Sequence, residues 1–267
     1  MLLPSGLSNI FKPRGRVEFH AEWVRVFTIL LGLSGVVWGA TNFATFWRQL
    51  GIERTAAKIL DRETFKPIAL VPFIPALAEI EQSHYCRPQS LRSAAIIRLR
   101  LAEEALAAGE RAMVDERLSA LESSIRKALA CEPADPFLWL VLAWLGNARE
   151  GFKQEQLAYL RLSYRLGPNE GWIAARRNRL SLAMFQRLPP DLATAAVDEF
   201  ARMLNSWLYW ETIAIFTGPG WPVRDRLLAS LKNVGERQRE AFGKELYTEG
   251  YNVIVPGIAL REPRPWY

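Results

Sequence analysis

The sequence predicts an all-α protein: one membrane-spanning helix near the N-terminus, then a body of stacked helical hairpins. Three observations carry this expectation. Between Arg25 and Arg48 lie 22 consecutive residues, Val26 to Trp47, without one charged side chain. From about Gln89 onward, apolar residues recur at helical rather than alternating spacing. Glycine and proline then punctuate that region where helices are expected to end and begin.

The apolar stretch comes first. As a helix it would be roughly 33 Å long at about 1.5 Å per residue, enough to cross a hydrocarbon layer of about 30 Å. Trp23 sits at one end, and Trp38, Phe46 and Trp47 lie toward the other, where interfacial aromatics are expected. A buried core helix is the competing reading, but apolar side chains on every face at this length favour a span. A cleaved secretory signal fits less well. The run is too long, and no Ala-x-Ala follows it, since Trp38 precedes Ala40 by two positions and Asn42 precedes Ala44. Four basic residues (Lys12, Arg14, Arg16, Arg25) precede the span and five (Arg48, Arg54, Lys58, Arg62, Lys66) follow closely, so a charge count leaves orientation undecided. Long domains translocate largely regardless of charge, so the compact basic tail should stay inside. The expected organisation is a cytoplasmic tail over 1–22 and a transmembrane helix over 23–47. Gly35 and Gly39, four apart, would let two such helices approach as a homodimer, although ordinary glycines in a lone anchor read the same way.

Residues 48–88 are expected to hold a short amphipathic helix, Gln49 to Lys66, and an extended connector. Pro67, Pro72 and Pro75 fall within nine residues, which should forbid a regular helix there. The helical body is expected over 89–250. Its first helix runs from Gln89 to Ala108 and stops at Gly109. The second carries Leu118, Leu121, Ile125, Ala128 and Leu129 on one stripe and ends before Pro133. Asp135-Pro136 supplies a cap and first turn for a third, whose nine apolar residues, Phe137 to Leu145, are too few to span and belong in a core. Further helices follow Gly151, Pro168-Asn169-Glu170 and Pro189-Pro190-Asp191, then Trp207 to Phe216, with two short ones ending near Tyr247. Residues 251–267 read as an extended, proline-rich tail.

Charge and cysteine usage bound the environment. The formal net charge is +6, and nine basic against five acidic residues in 1–66 place most of the excess near the span. That suits anionic lipid headgroups rather than nucleic acid. Cys86 and Cys131 bracket the first hairpin, with the expected turn at Ala108-Gly109 midway, so an antiparallel pair would bring them to one end. A disulfide is expected if the domain lies in an oxidising compartment, while two unrelated buried thiols remain an equal alternative.

An imperfect repeat appears at an offset of 35 residues. Ala128 to Phe137 aligns with Ser163 to Trp172, each with a small residue, a large apolar one, a proline turn and an aromatic opening the next helix. Over about 90–205 the chain resembles tetratricopeptide-repeat proteins, although their core signature positions do not recur in order. The resemblance implies an α-solenoid whose surface holds proteins rather than doing chemistry. Pro168 to Arg179 behind a single anchor also resembles helical-repeat accessory proteins of bacterial envelope polysaccharide assembly.

Few catalytic patterns are available. There are two histidines, His20 before the span and His84 after it, and His84 with Cys86 offers two donors where structural zinc wants four. No nucleophile elbow, phosphate loop or dinucleotide fingerprint is present. Glu103-Glu104 and Asp115-Glu116 are sequence neighbours and point apart on a helix. No catalytic residue, metal or cofactor is assigned. The candidate binding group is arginine: Arg161 and Arg165 on one helix, and Arg176, Arg177 and Arg179 on the next, forming a patch for an anionic glycan or a partner. An exposed face paired with Glu155 and Glu170 is the bland alternative. The expectation is therefore a single-pass protein of a bacterial inner membrane, with a periplasmic domain. It would act as an adaptor or scaffold for an envelope polysaccharide synthesis or export machine, held by lipid and by protein partners. A glycan-processing enzyme with a helical domain, or an assembly factor for another membrane complex, are the alternatives.

Overall fold

A computed structural model of the chain describes residues 15–66, 68–109, 111–151 and 153–259. The expected tail before Gly15 and the end from residue 260 lie outside the described residues. Helices make up the fold, with no strand among the described residues. The chain divides into two compact units, Met1–Arg54 and Thr55–Tyr267.

Helix α1 (Gly15–Leu60) is 46 residues long. Within the first unit, its segment Glu22–Thr41 has a mean hydropathy of 1.6, and none of it is buried. That one helix is long and apolar enough to cross a membrane. Its hydroxyls are satisfied locally, as apolar surroundings demand: Thr28, Ser34 and Thr41 donate to the carbonyls of Val24, Leu31 and Val37. The helix runs beyond the expected span at both ends: residues 15–22 are already helical, and, against expectation, no separate helix begins near Gln49. Nothing between Arg48 and Leu60 stops a helix, since a lone Gly51 costs only about 1 kcal/mol against alanine.

In the second unit, the last turn of α1 closes on a double hydrogen bond. Glu63 N–H donates to Lys58 O (3.0 Å) and Arg62 N–H to Ile59 O (3.1 Å). This puts Arg62 in the left-handed region (φ 62°), where glycine is usual. The proline-rich stretch then folds further than expected. A 3₁₀ turn (Val71–Phe73) leads into α2 (Ile74–Gln82), with Pro72 and Pro75 in the opening positions. A missing N–H costs nothing in a first turn, which explains why three prolines did not exclude helix.

Helices α3 (Pro88–Ala108) and α4 (Arg111–Cys131) pair along their length around Gly109 (φ 77°). Cys86 and Cys131 are joined as a disulfide at the open end, Cα–Cα 5.5 Å. Arg98, nearly buried, forks onto Glu81 (2.8 and 2.7 Å) and ties α2 to α3. Asp135 caps α5 (Pro136–Glu150) by accepting from Phe137 N and Leu138 N. Seven side chains of α5 are buried, on more than one face, as its unbroken apolar run requires. It pairs with α6 (Gln154–Leu166), and α7 (Gly171–Ala183) pairs with α8 (Pro190–Asn205).

Three hairpins therefore follow in succession. After α7, Phe185 is buried from a separate 3₁₀ turn, Phe185–Arg187. The chain then adds α9 (Tyr209–Phe216), α10 (Arg224–Ser230) and α11 (Glu236–Thr248). Phe200, Phe216 and Phe242, all fully buried, bring their rings within 5.3–6.2 Å of one another and centre this part of the core. Val255 from the irregular segment after α11 joins the same core.

Candidate functional site

The second unit contains a cleft of about 240 Å³ built from four separate stretches. The end of α1 supplies Ile59 and Leu60, and the turn after it Arg62 and Glu63. Helix α3 contributes Ile96, Leu99, Arg100 and Glu103; Phe137 comes from α5 and Arg176 from α7. The floor is apolar and the rim is charged.

Arg176 is the central side chain. Its Nη1 donates to Trp172 O (3.1 Å) and its Nη2 to Leu60 O (3.2 Å), while the guanidinium lies 5.5 Å from the centre of the Trp172 ring. A second guanidinium, that of Arg92, is 5.6 Å from the same ring and donates to Asp135 Oδ2 at 2.7 Å. The two arginines hold Trp172 firmly. Among the described residues no carboxylate lies within ion-pair distance of Arg176, although the charge of Glu103 acts on it. Burial, and then the neighbouring charge of Arg62, pull the Arg176 pKa below the usual arginine value. The other rim charges are partly matched: Arg100 reaches Glu103 and Glu104 at 3.4 Å, and Arg62 approaches Glu211 at 3.9 Å.

The structure distributes the five arginines picked out by sequence into different settings. Arg161 pairs with Asp191 (2.7 Å) in the open, and Arg165 and Arg179 are exposed. Arg177 is wholly buried and bonded to Glu199. Arg176 alone lines the cleft. Consecutive residues on a helix point about 100° apart, so Arg176 and Arg177 cannot serve one surface. Sequence reasoning missed Arg62, Arg100 and Glu199. A signal for Glu199 did exist: it falls on the inward stripe of α8 with Leu192, Ala196 and Met203, where a lone acid demands a buried partner. Nothing local marks Arg62 or Arg100, which only the packing brings together.

A second recess of about 230 Å³ lies among α4, α5 and α6. Its charges satisfy one another, with Arg149 on Glu122 (2.6 Å), Arg126 on Glu122 (2.8 Å) and Lys153 on Glu150 (2.6 Å). Among the described residues no cluster of His, Cys, Asp and Glu side chains is placed to hold a metal ion.

Comparison with protein-family models, with curated proteins and with solved structures finds no match to this chain. What fold and site define is a class: an all-α chain with one apolar helix able to cross a membrane and a helical unit carrying a charged cleft.

Proposed function

We propose that this chain is a membrane-anchored helical adaptor that organises an envelope machine, with polysaccharide synthesis or export as its setting. The observation that carries the reading is the Glu22–Thr41 segment, apolar and entirely unburied by the rest of the protein. Water tolerates so long an exposed apolar surface poorly, whereas lipid accepts it. The Cys86–Cys131 bond supports an oxidising compartment for the second unit, hence the periplasmic side of a bacterial inner membrane. Successive helix pairs with proline at their junctions support a repeat-type surface that holds proteins, in the manner of tetratricopeptide repeats. Self-association through Gly35 and Gly39 belongs to the same proposal: four apart on the exposed apolar segment of α1, they share one helix face on which a second helix could approach closely. Isoleucine at both positions should abolish the signal in a membrane two-hybrid assay.

The deciding experiment is crosslinking of the full chain in intact membranes, followed by identification of co-purified proteins. The reading expects components of a glycan polymerase or exporter. It falls if the chain stays soluble without detergent, or if only abundant membrane proteins are recovered.

A further inference from the structure

We propose that the Arg176 cleft receives a carboxylate carried beside an apolar group, as an acidic segment of a partner protein presents it; this deepens the adaptor reading and rests on it. Charge sets the first constraint. Arg62 and Arg100 face carboxylates, on Glu211 and on Glu103 and Glu104, which leaves Arg176 as the lining cation with no carboxylate within ion-pair distance among the described residues. One negative group fits beside it, whereas a phosphate dianion would meet the carboxylates of Glu63 and Glu103 on the rim.

Donor geometry sets the second. Each terminal nitrogen of Arg176 spends one N–H on a backbone carbonyl and keeps another, and among the described residues no acceptor faces Nε–H. The planar fork that remains matches a carboxylate. Size and lining set the third. About 240 Å³ falls below the range of roughly 300–1,000 Å³ for pockets that hold whole small molecules. With Ile96, Leu99 and Phe137 as its floor, the cleft suits one acidic group and an adjoining apolar side chain.

The backbone supplies an independent argument. Arg62 occupies the left-handed helix-ending position that Gly250 fills at the end of α11, where Tyr251 N–H donates to Leu246 O. A non-glycine residue there is strained, as Trp207 is after α8, and at Arg62 the strained turn sets the side chain on the rim of the cleft with Arg176.

The probes are N-acetyl-phenylalanine, its amide and inorganic phosphate, followed by saturation-transfer NMR on the full chain in detergent. The acid should receive transfer, the amide should not, and phosphate should compete poorly. Arg176→Gln should weaken the acid about tenfold, the loss expected for one charge-assisted contact. Arg62→Gly relieves the strain, so it should raise the melting temperature and still weaken the acid severalfold. Glu103→Gln should tighten the acid and admit phosphate. No transfer to the acid, equal transfer to the amide, or unchanged affinity in Arg62→Gly overturns the proposal. Crosslinking separates the two readings. A partner captured equally by wild type and Arg176→Gln retires the cleft alone; no specific partner from either retires the adaptor.

Discussion

Arg177 donates to Glu199 Oε1 through Nη2 at 2.5 Å and Nε at 3.0 Å, with the two residues 0% and 1% exposed. The same guanidinium reaches Ser163 O (2.6 Å) and Gly167 O (2.9 Å) and lies 4.3 Å from the centre of the Tyr164 ring. One side chain of α7 thereby joins α6 to α8. Asn178 adds a bond to Ala196 O at 2.8 Å beside it.

Removing one partner strands the other. Glu199→Ala should cost about 3–5 kcal/mol in denaturant unfolding, because a buried guanidinium loses its counter-charge. Replacing both, with Arg177→Met and Glu199→Leu, should cost far less than that single change. Equal losses in the two variants would mean that packing, not charge, dominates the site.

Glu199 also sets a pH dependence. Burial pushes its carboxyl above the ordinary 4.5, against the opposing pull of Arg177. Between 4.5 and that raised value the native state therefore keeps a proton that the unfolded chain has given up, and above it the carboxylate is the counter-charge of Arg177. This group's contribution to stability is whole below 4.5 and declines as pH rises through the raised native value. Unfolding free energy measured upward from that pH should show this decline in wild type, and Glu199→Gln should lack it.

Asp135 holds two jobs at once. Its Oδ1 accepts from Phe137 N (2.8 Å) and Leu138 N (3.1 Å), while Oδ2 takes Arg92. Asp135→Ala should lose about 2 kcal/mol, the upper end for a helix cap. Asp135→Asn keeps the cap but gives up the charge on Arg92, so chemical denaturation should place it between alanine and wild type.

The Cys86–Cys131 bridge closes a loop of 45 residues. Chain entropy puts its contribution at roughly 4 kcal/mol. The double serine variant should melt lower than oxidised wild type and match reduced wild type. A difference between the last two would show that the serines themselves disturb the hairpin.

Trp207 stands where a glycine would be cheaper. After α8, Leu208 N–H donates to Met203 O (3.0 Å) and Trp207 N–H to Leu204 O (3.1 Å), which fixes Trp207 at φ 60° with its ring 56% exposed. Trp207→Gly should gain about 1 kcal/mol by denaturant unfolding, since little burial is lost and the left-handed strain goes. A loss instead would show that the ring packs usefully on its surroundings.

Local chemistry was legible in the residues themselves. The apolar segment, the stripe of α4, the Asp135-Pro136 start of α5 and the Gly109 turn all depend on neighbours a few positions away, and periodicity reports those neighbours. Helix α2 was hidden because three prolines read as a breaker, when two of them merely occupy first turns. Tertiary packing alone decided that Arg176 opens onto a cleft while Arg177, one residue on, is sealed against Glu199. It also gathered Arg62, Arg100 and Arg176 from three segments. Which way a charged side chain faces depends on what the rest of the chain packs against its helix, and adjacent residues do not encode that.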